Sequence, residues 1–76
     1  MSRLTPQHWK KLEQVFLLEG FVFVRQESSH RAYEKDGVLR PAIIPTYNEV
    51  GVDIIKGLIK TAGINRTRYL ELLNKA

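Results

Sequence analysis

Gly20-Phe21-Val22-Phe23-Val24-Arg25-Gln26-Glu27-Ser28-Ser29-His30 decides how this chain folds. Phe21 to Arg25 is too short and too rich in β-branched and aromatic residues for a helix, so it reads as a strand. The polar run behind it is a turn, and Ser29 and His30 bring a hydroxyl and an imidazole to the start of the next strand. His30 to Lys35 forms that second strand. Asp36-Gly37 is a two-residue hairpin signal, and Val38 to Ile44 supplies a third strand. The middle of the chain is therefore an antiparallel meander. Pro41 cannot donate to a ladder, which makes the third strand an edge with its proline nitrogen outward.

Helices flank the meander. Thr5-Pro6 is a helix start, with Thr5 as N-cap and Pro6 at the first helical position, where a missing N–H is harmless. Trp9, Leu12, Val15, Phe16 and Glu19 recur at helical spacing, and Gly20 closes the helix where a left-handed residue is favoured. Beyond Pro45-Thr46-Tyr47-Asn48, the run Ile54, Ile55, Leu58, Ile59 and Ala62 returns to a helical period and stops at Gly63. Asn65 caps a last short helix carrying Tyr69, Leu70, Leu72 and Leu73. The expected fold class is α+β, a helix, a three-stranded antiparallel sheet, a helix and a short helix, in one domain over residues 1–76. Helices of this number cover one face of such a sheet, so the other faces water or a partner. Phe21 and Phe23 on one side of the first strand, Val22 and Val24 on the other, and the third-strand pairs Ala42 and Ile44 against Leu39 and Ile43, make that open face unusually apolar.

Composition narrows the function. A chain of 76 residues with 43% hydrophobic and 26% charged residues is of the globular kind, and buries only roughly 60% of its unfolded surface. No apolar run approaches the roughly 20 residues that span a bilayer, and Met1 to Pro6 has no signal-peptide pattern, so a cytoplasmic location is expected. Without cysteine there are no disulfides, thiolate metal sites or thiol nucleophiles. The two histidines are far apart, and Asp53 and Glu49 have no second acidic cluster beside them, so neither metal nor cofactor is expected. A formal charge of +4 and a pI near 9.7 suit a polyanionic partner.

The chemistry-bearing candidate is His30. Histidine alone, with an unperturbed pKa of about 6.5, exchanges a proton readily near neutrality. Arg25 and Arg31 flank the same turn and could hold a phosphate, while Tyr33 alternates with Arg31 and could stack on a base or sit in the core. Lys56 and Lys60, four apart on the second helix, form a basic stripe that suits phosphates or simply faces solvent. Ser29 either orients His30 or bonds the turn backbone. His8, in the first helical turn, reads as a surface residue. An acid to partner His30 could be Tyr33, Tyr47 or water.

The chain resembles the HicA toxins, small ribonucleases of bacterial toxin–antitoxin pairs with a double-stranded-RNA-binding-domain-like fold. The resemblance rests on Leu4-Thr5-Pro6, Gly20-Phe21, Val24-Arg25-Gln26 with Ser29-His30, Ile43-Ile44-Pro45 and Lys60-Thr61-Ala62-Gly63-Ile64. It implies that His30 is the catalytic histidine of a metal-independent mRNA endoribonuclease, that Ser29 is the serine before it, and that a cognate HicB-like antitoxin masks the activity. Two departures stand out. Ser28 takes the place of the family's usual glycine, so a positive φ there would be strained. Residues 46–53, where many members carry a Lys-rich stretch, contain no Lys, Arg or His. Two other readings remain open at this point, a non-catalytic RNA-binding module of the same fold and a protein-interaction domain.

Overall fold

The computed structural model describes residues 3–76, and Met1 and Ser2, part of the stretch read for a targeting signal, lie outside the described residues. Its elements are α1 (Trp9–Leu18), β1 (Val22–Glu27), β2 (His30–Glu34), β3 (Ala42–Pro45), α2 (Val52–Ala62) and α3 (Arg66–Lys75). The strands form one antiparallel sheet in the order β1-β2-β3. This is the expected α+β, double-stranded-RNA-binding-domain-like arrangement. No helix among the described residues is long and apolar enough to cross a membrane.

The first helix begins later than Thr5-Pro6 indicates. Gln7 and Val50 exchange both backbone hydrogen bonds, at 3.1 and 2.7 Å, which keeps the chain extended through residue 7. His8 is the N-cap instead, its Nδ1 accepting the Lys10 N–H at 3.1 Å. A tertiary bridge thus outranks a local start signal. The helix ends as its sequence requires. Gly20, at φ +104°, lets its own N–H reach the Leu17 carbonyl and that of Phe21 reach the Phe16 carbonyl, a Schellman closure. The Phe21 ring then meets the Phe16 ring edge-on at 5.3 Å, so Phe21 belongs to the core and not to the strand.

β1 carries a bulge at Val24, because Phe23 pairs with Tyr33 while Arg25 pairs with Ala32. The pleat slips by one residue there, so Phe23 and Gln26 share the helix-covered face with Tyr33 and Arg31. Arg25 and Glu27 lie on the open face with Ala32 and His30. The open face is therefore mixed and not uniformly apolar, with Val22 and Ile43 beside Arg25, Glu27, His30 and Glu34. This corrects the doubly apolar reading of the first strand.

The third strand is also shorter than expected. Asp36-Gly37 does make a turn, closed by Val38 N–H to Lys35 carbonyl at 3.1 Å with Gly37 at φ +86°, but pairing resumes only at Tyr33 with Ala42. Pro41 has no N–H for the ladder, and Leu39 stands 97% exposed, so residues 38–41 form a loop. β3 is nonetheless an edge of the sheet, although Pro41, which lies outside the strand, is not what makes it one.

The core gathers Leu12, Val15 and Phe16 of α1, Tyr33, Ala42 and Ile44 of the sheet, Ile55, Leu58 and Ile59 of α2, and Tyr69 and Leu72 of α3. α2 ends at Gly63, φ +72°, and Asn65 Oδ1 caps α3 by accepting the Arg68 N–H at 2.8 Å. Glu19 ties the end of α1 to α3 and to β2's exit, through Arg68 at 2.9 Å and Lys35 at 3.4 Å. Burial opposes the charge on Glu19, but these two cations outweigh it and hold its carboxyl below the usual carboxylate value.

Candidate functional site

The β1–β2 hairpin turns on two residues, Ser28 and Ser29, between the paired positions Glu27 and His30. Ser28 takes φ +55°, the positive value that a glycine adopts without strain. The serine thus takes the strained conformation that its place in the sequence put in question. Three bonds hold it. Thr46 donates to the Ser29 carbonyl through its N–H at 2.7 Å and through its hydroxyl at 3.1 Å, and Gln26 Nε2 donates to the Ser28 carbonyl at 3.0 Å. Ser29 takes part in these bonds through its carbonyl, which accepts both from Thr46.

On the open face the turn borders a hollow of about 370 Å³ lined by Arg25, Glu27, Ser28, His30, Ala32 and Ile43. Ala32 forms the floor, buried beneath the longer side chains around it. The imidazole of His30 is exposed at the rim. Arg25 reaches this hollow only because of the bulge at Val24, without which it would point to the helix side. Its Nε donates to Glu27 Oε1 at 2.7 Å, but both side chains are well exposed, so the pair contributes at most about 1 kcal/mol. An incoming anion can take that guanidinium from Glu27 at little cost. An imidazole, a guanidinium and an open approach therefore stand together on one side of the hairpin.

Glu27 is the member of this group that the sequence reading passed over. Its signal was present, since a two-residue turn at Ser28-Ser29 makes Glu27 and His30 direct cross-strand neighbours, with Cβ atoms roughly 5 Å apart. Among the described residues, no three His, Asp or Glu side chains converge as metal ligands.

Residues 9–64 match the family described as the HicA toxin of bacterial toxin–antitoxin systems. The chain belongs to the HicA toxin family. The match spans α1 through α2 and includes the whole hairpin and hollow. No curated protein and no solved structure matches the chain significantly. Membership makes the protein the toxin partner of a toxin–antitoxin pair.

Against this HicA framework the other expected site residues separate. Arg31 and Tyr33 do not join His30, because they occupy the face that the helices cover. Tyr33 has no exposed surface, so no base can stack on it. Its hydroxyl donates to Glu13 Oε2 at 2.5 Å and accepts from Arg31 Nε at 2.9 Å. Burial first, and the bond to Glu13 second, push the phenol up to about 12. Tyr33 is thus removed both as a stacking residue and as a proton donor to His30. Arg31 is fully engaged as well, with Nη2 on Glu13 at 3.0 Å, Nη1 on Gln26 at 2.8 Å and its guanidinium 4.0 Å from the centre of the Phe23 ring. The Tyr33 bond, ahead of the burial that opposes it, holds Arg31 above its ordinary value. This group staples α1 to the sheet. Lys56 and Lys60 are exposed on α2, and Lys60 shares a shallow hollow with Leu39, Arg40 and Thr61. That hollow adjoins the beginning of β3, whereas His30 pairs with its end at Pro45, so Lys60 stands apart from the turn.

Proposed function

We propose that this HicA toxin is a metal-independent endoribonuclease that cleaves mRNA in the cytoplasm, with His30 as its general acid/base and a HicB-like antitoxin as its inhibitor. The observation that carries the reading is the placement of exposed His30 and Arg25 on one open face, across a hairpin fixed by Thr46. In the reaction, the imidazole takes the proton of a ribose 2′-hydroxyl as that oxygen attacks the adjacent phosphorus. The P–O5′ bond breaks, leaving a 2′,3′-cyclic phosphate, and the departing oxygen takes a proton from water or from a second side chain. Arg25 exchanges Glu27 for the phosphate oxygens and stabilises charge that grows in the transition state. A single imidazole contributes typically 10²–10⁴ in rate, which suits a slow nuclease. The open hollow, with the half-exposed Ile43 in its wall, is the surface a neutralising antitoxin has to cover to exclude RNA from His30.

Induced expression of the chain alone tests this reading. Growth slows and mRNA shortens with the parent chain, and both effects vanish with His30→Ala at equal protein level. Equal toxicity of the alanine variant overturns it. RNA binding with no cleavage by the parent chain would identify a non-catalytic binding module instead.

A further inference from the structure

We infer that Tyr47 is a stacking platform for an unpaired base of the RNA, beside the phosphate on which His30 acts. The inference rests on the ribonuclease reading above. Four backbone contacts fix the loop that carries Tyr47. Pro45 ends β3 opposite His30, Thr46 is bonded to the Ser29 carbonyl at 2.7 Å, the Tyr47 carbonyl accepts the Trp9 N–H at 3.2 Å, and Val50 closes the loop on Gln7. A paired position and two residues of chain put the Tyr47 Cα within about 12 Å of that of His30.

The loop is anchored through its backbone, yet Tyr47 is 46% exposed. Other surface aromatics are already in use. Phe23 has the Arg31 guanidinium over its face and Tyr33 at its edge, and Trp9 lies among Arg31, Lys10 and His8. Among the described residues no ring or cation sits against Tyr47. The loop has no Lys, Arg or His and carries Glu49, so it repels a phosphate and leaves the uncharged base as the fitting ligand. A tyrosine with two side-chain torsions loses little freedom on stacking. Phosphate contact through Arg25 and base contact through Tyr47 then fix one nucleotide on either side of the turn.

The test is binding of a short single-stranded oligoribonucleotide in the His30→Ala background, where no cleavage interferes. Tyr47→Ala weakens binding by about 5- to 150-fold without changing its salt dependence, whereas Tyr47→Phe, which keeps the ring, binds as the parent does. An abasic ribose at the stacked position causes the same loss and adds nothing to Tyr47→Ala. The anchoring bonds are made by backbone, so the loop survives both substitutions, and Tyr47→Phe, which keeps the packed part of the ring, melts as the parent does. Unaltered affinity in Tyr47→Ala overturns the inference while leaving the His30 reading intact, and equal loss in Tyr47→Phe overturns it in favour of a role for the hydroxyl. Full-rate cleavage by the His30→Ala protein sinks the catalytic reading, a result independent of the binding comparison.

Discussion

Tyr33 and Tyr69 are both buried, yet replacing Tyr33 by phenylalanine should destabilise the fold while the same change at Tyr69 should not. The Tyr33 hydroxyl sits between two charged partners, Glu13 at 2.5 Å and Arg31 at 2.9 Å. A hydrogen bond to a charged group contributes about 1.5–3 kcal/mol. Glu13 and Arg31 keep their own 3.0 Å contact after Tyr33→Phe, and their side chains are 19% and 20% exposed, so water recovers part of the loss. The expected cost is about 1.5 kcal/mol. Tyr69 presents the reverse case, because its hydroxyl is buried with no hydrogen-bond partner among the described residues. Removing a buried group that has no partner recovers its desolvation, so Tyr69→Phe should be neutral or stabilise by up to about 1 kcal/mol. Urea unfolding followed by Trp9 fluorescence measures both. With a slope near 1 kcal/mol/M for so small a domain, the Tyr33→Phe midpoint falls by about 1.5 M and that of Tyr69→Phe holds or rises. A Tyr33→Phe midpoint within about 0.3 M of the parent would refute the reasoning. So would a marked fall in Tyr69→Phe.

Three more expectations concern the turn and the charged groups. Ser28→Gly relieves a positive φ at the β1–β2 turn and adds freedom to the unfolded chain, so the net effect is a gain of up to about 1 kcal/mol in the same urea assay, and a loss would show that Ser28 is unstrained. Burial pushes both Tyr33 and Tyr69 to about 12, so between pH 10 and 12 the unfolded chain releases phenolic protons that the folded one keeps. Stability is complete below pH 10 and falls by roughly 2–3 kcal/mol per tyrosine toward pH 12, and each phenylalanine variant flattens that limb. Glu19 is held below its usual value of 4.5, so its contribution is present above that pH and is lost on further acidification; Glu19→Gln lowers melting temperature at pH 7 and makes the acid limb shallower.

Much of this architecture was legible because its signals are local. Gly20 and Gly63 after apolar helical runs, Asn65 before α3, and the β-branched run after Gly20 each specify an element through the conformation of a few neighbouring residues. What the sequence concealed depends on residues distant in the chain. Gln7 pairs with Val50, which delays α1, and no feature of Thr5-Pro6 reports it. The bulge at Val24 occurs in a run without glycine or proline, yet it alone transfers Arg25 to the face of His30. Alternation placed Arg31 and Tyr33 together correctly, but only Glu13 on α1 determines that their face is the covered one. His30 and Arg25 were thus legible as residues, while their shared face was not.

The central claim is that His30 performs chemistry and does not merely help to bind RNA. Purified parent and His30→Ala proteins should be compared for single-turnover cleavage of an mRNA fragment in the presence of a chelator. The account predicts chelator-resistant cleavage by the parent, a rate at least about 10²-fold lower in the variant, and equal RNA affinity and melting temperature in the two. Equal cleavage rates, or parent activity abolished by the chelator and restored by a divalent cation, would contradict it.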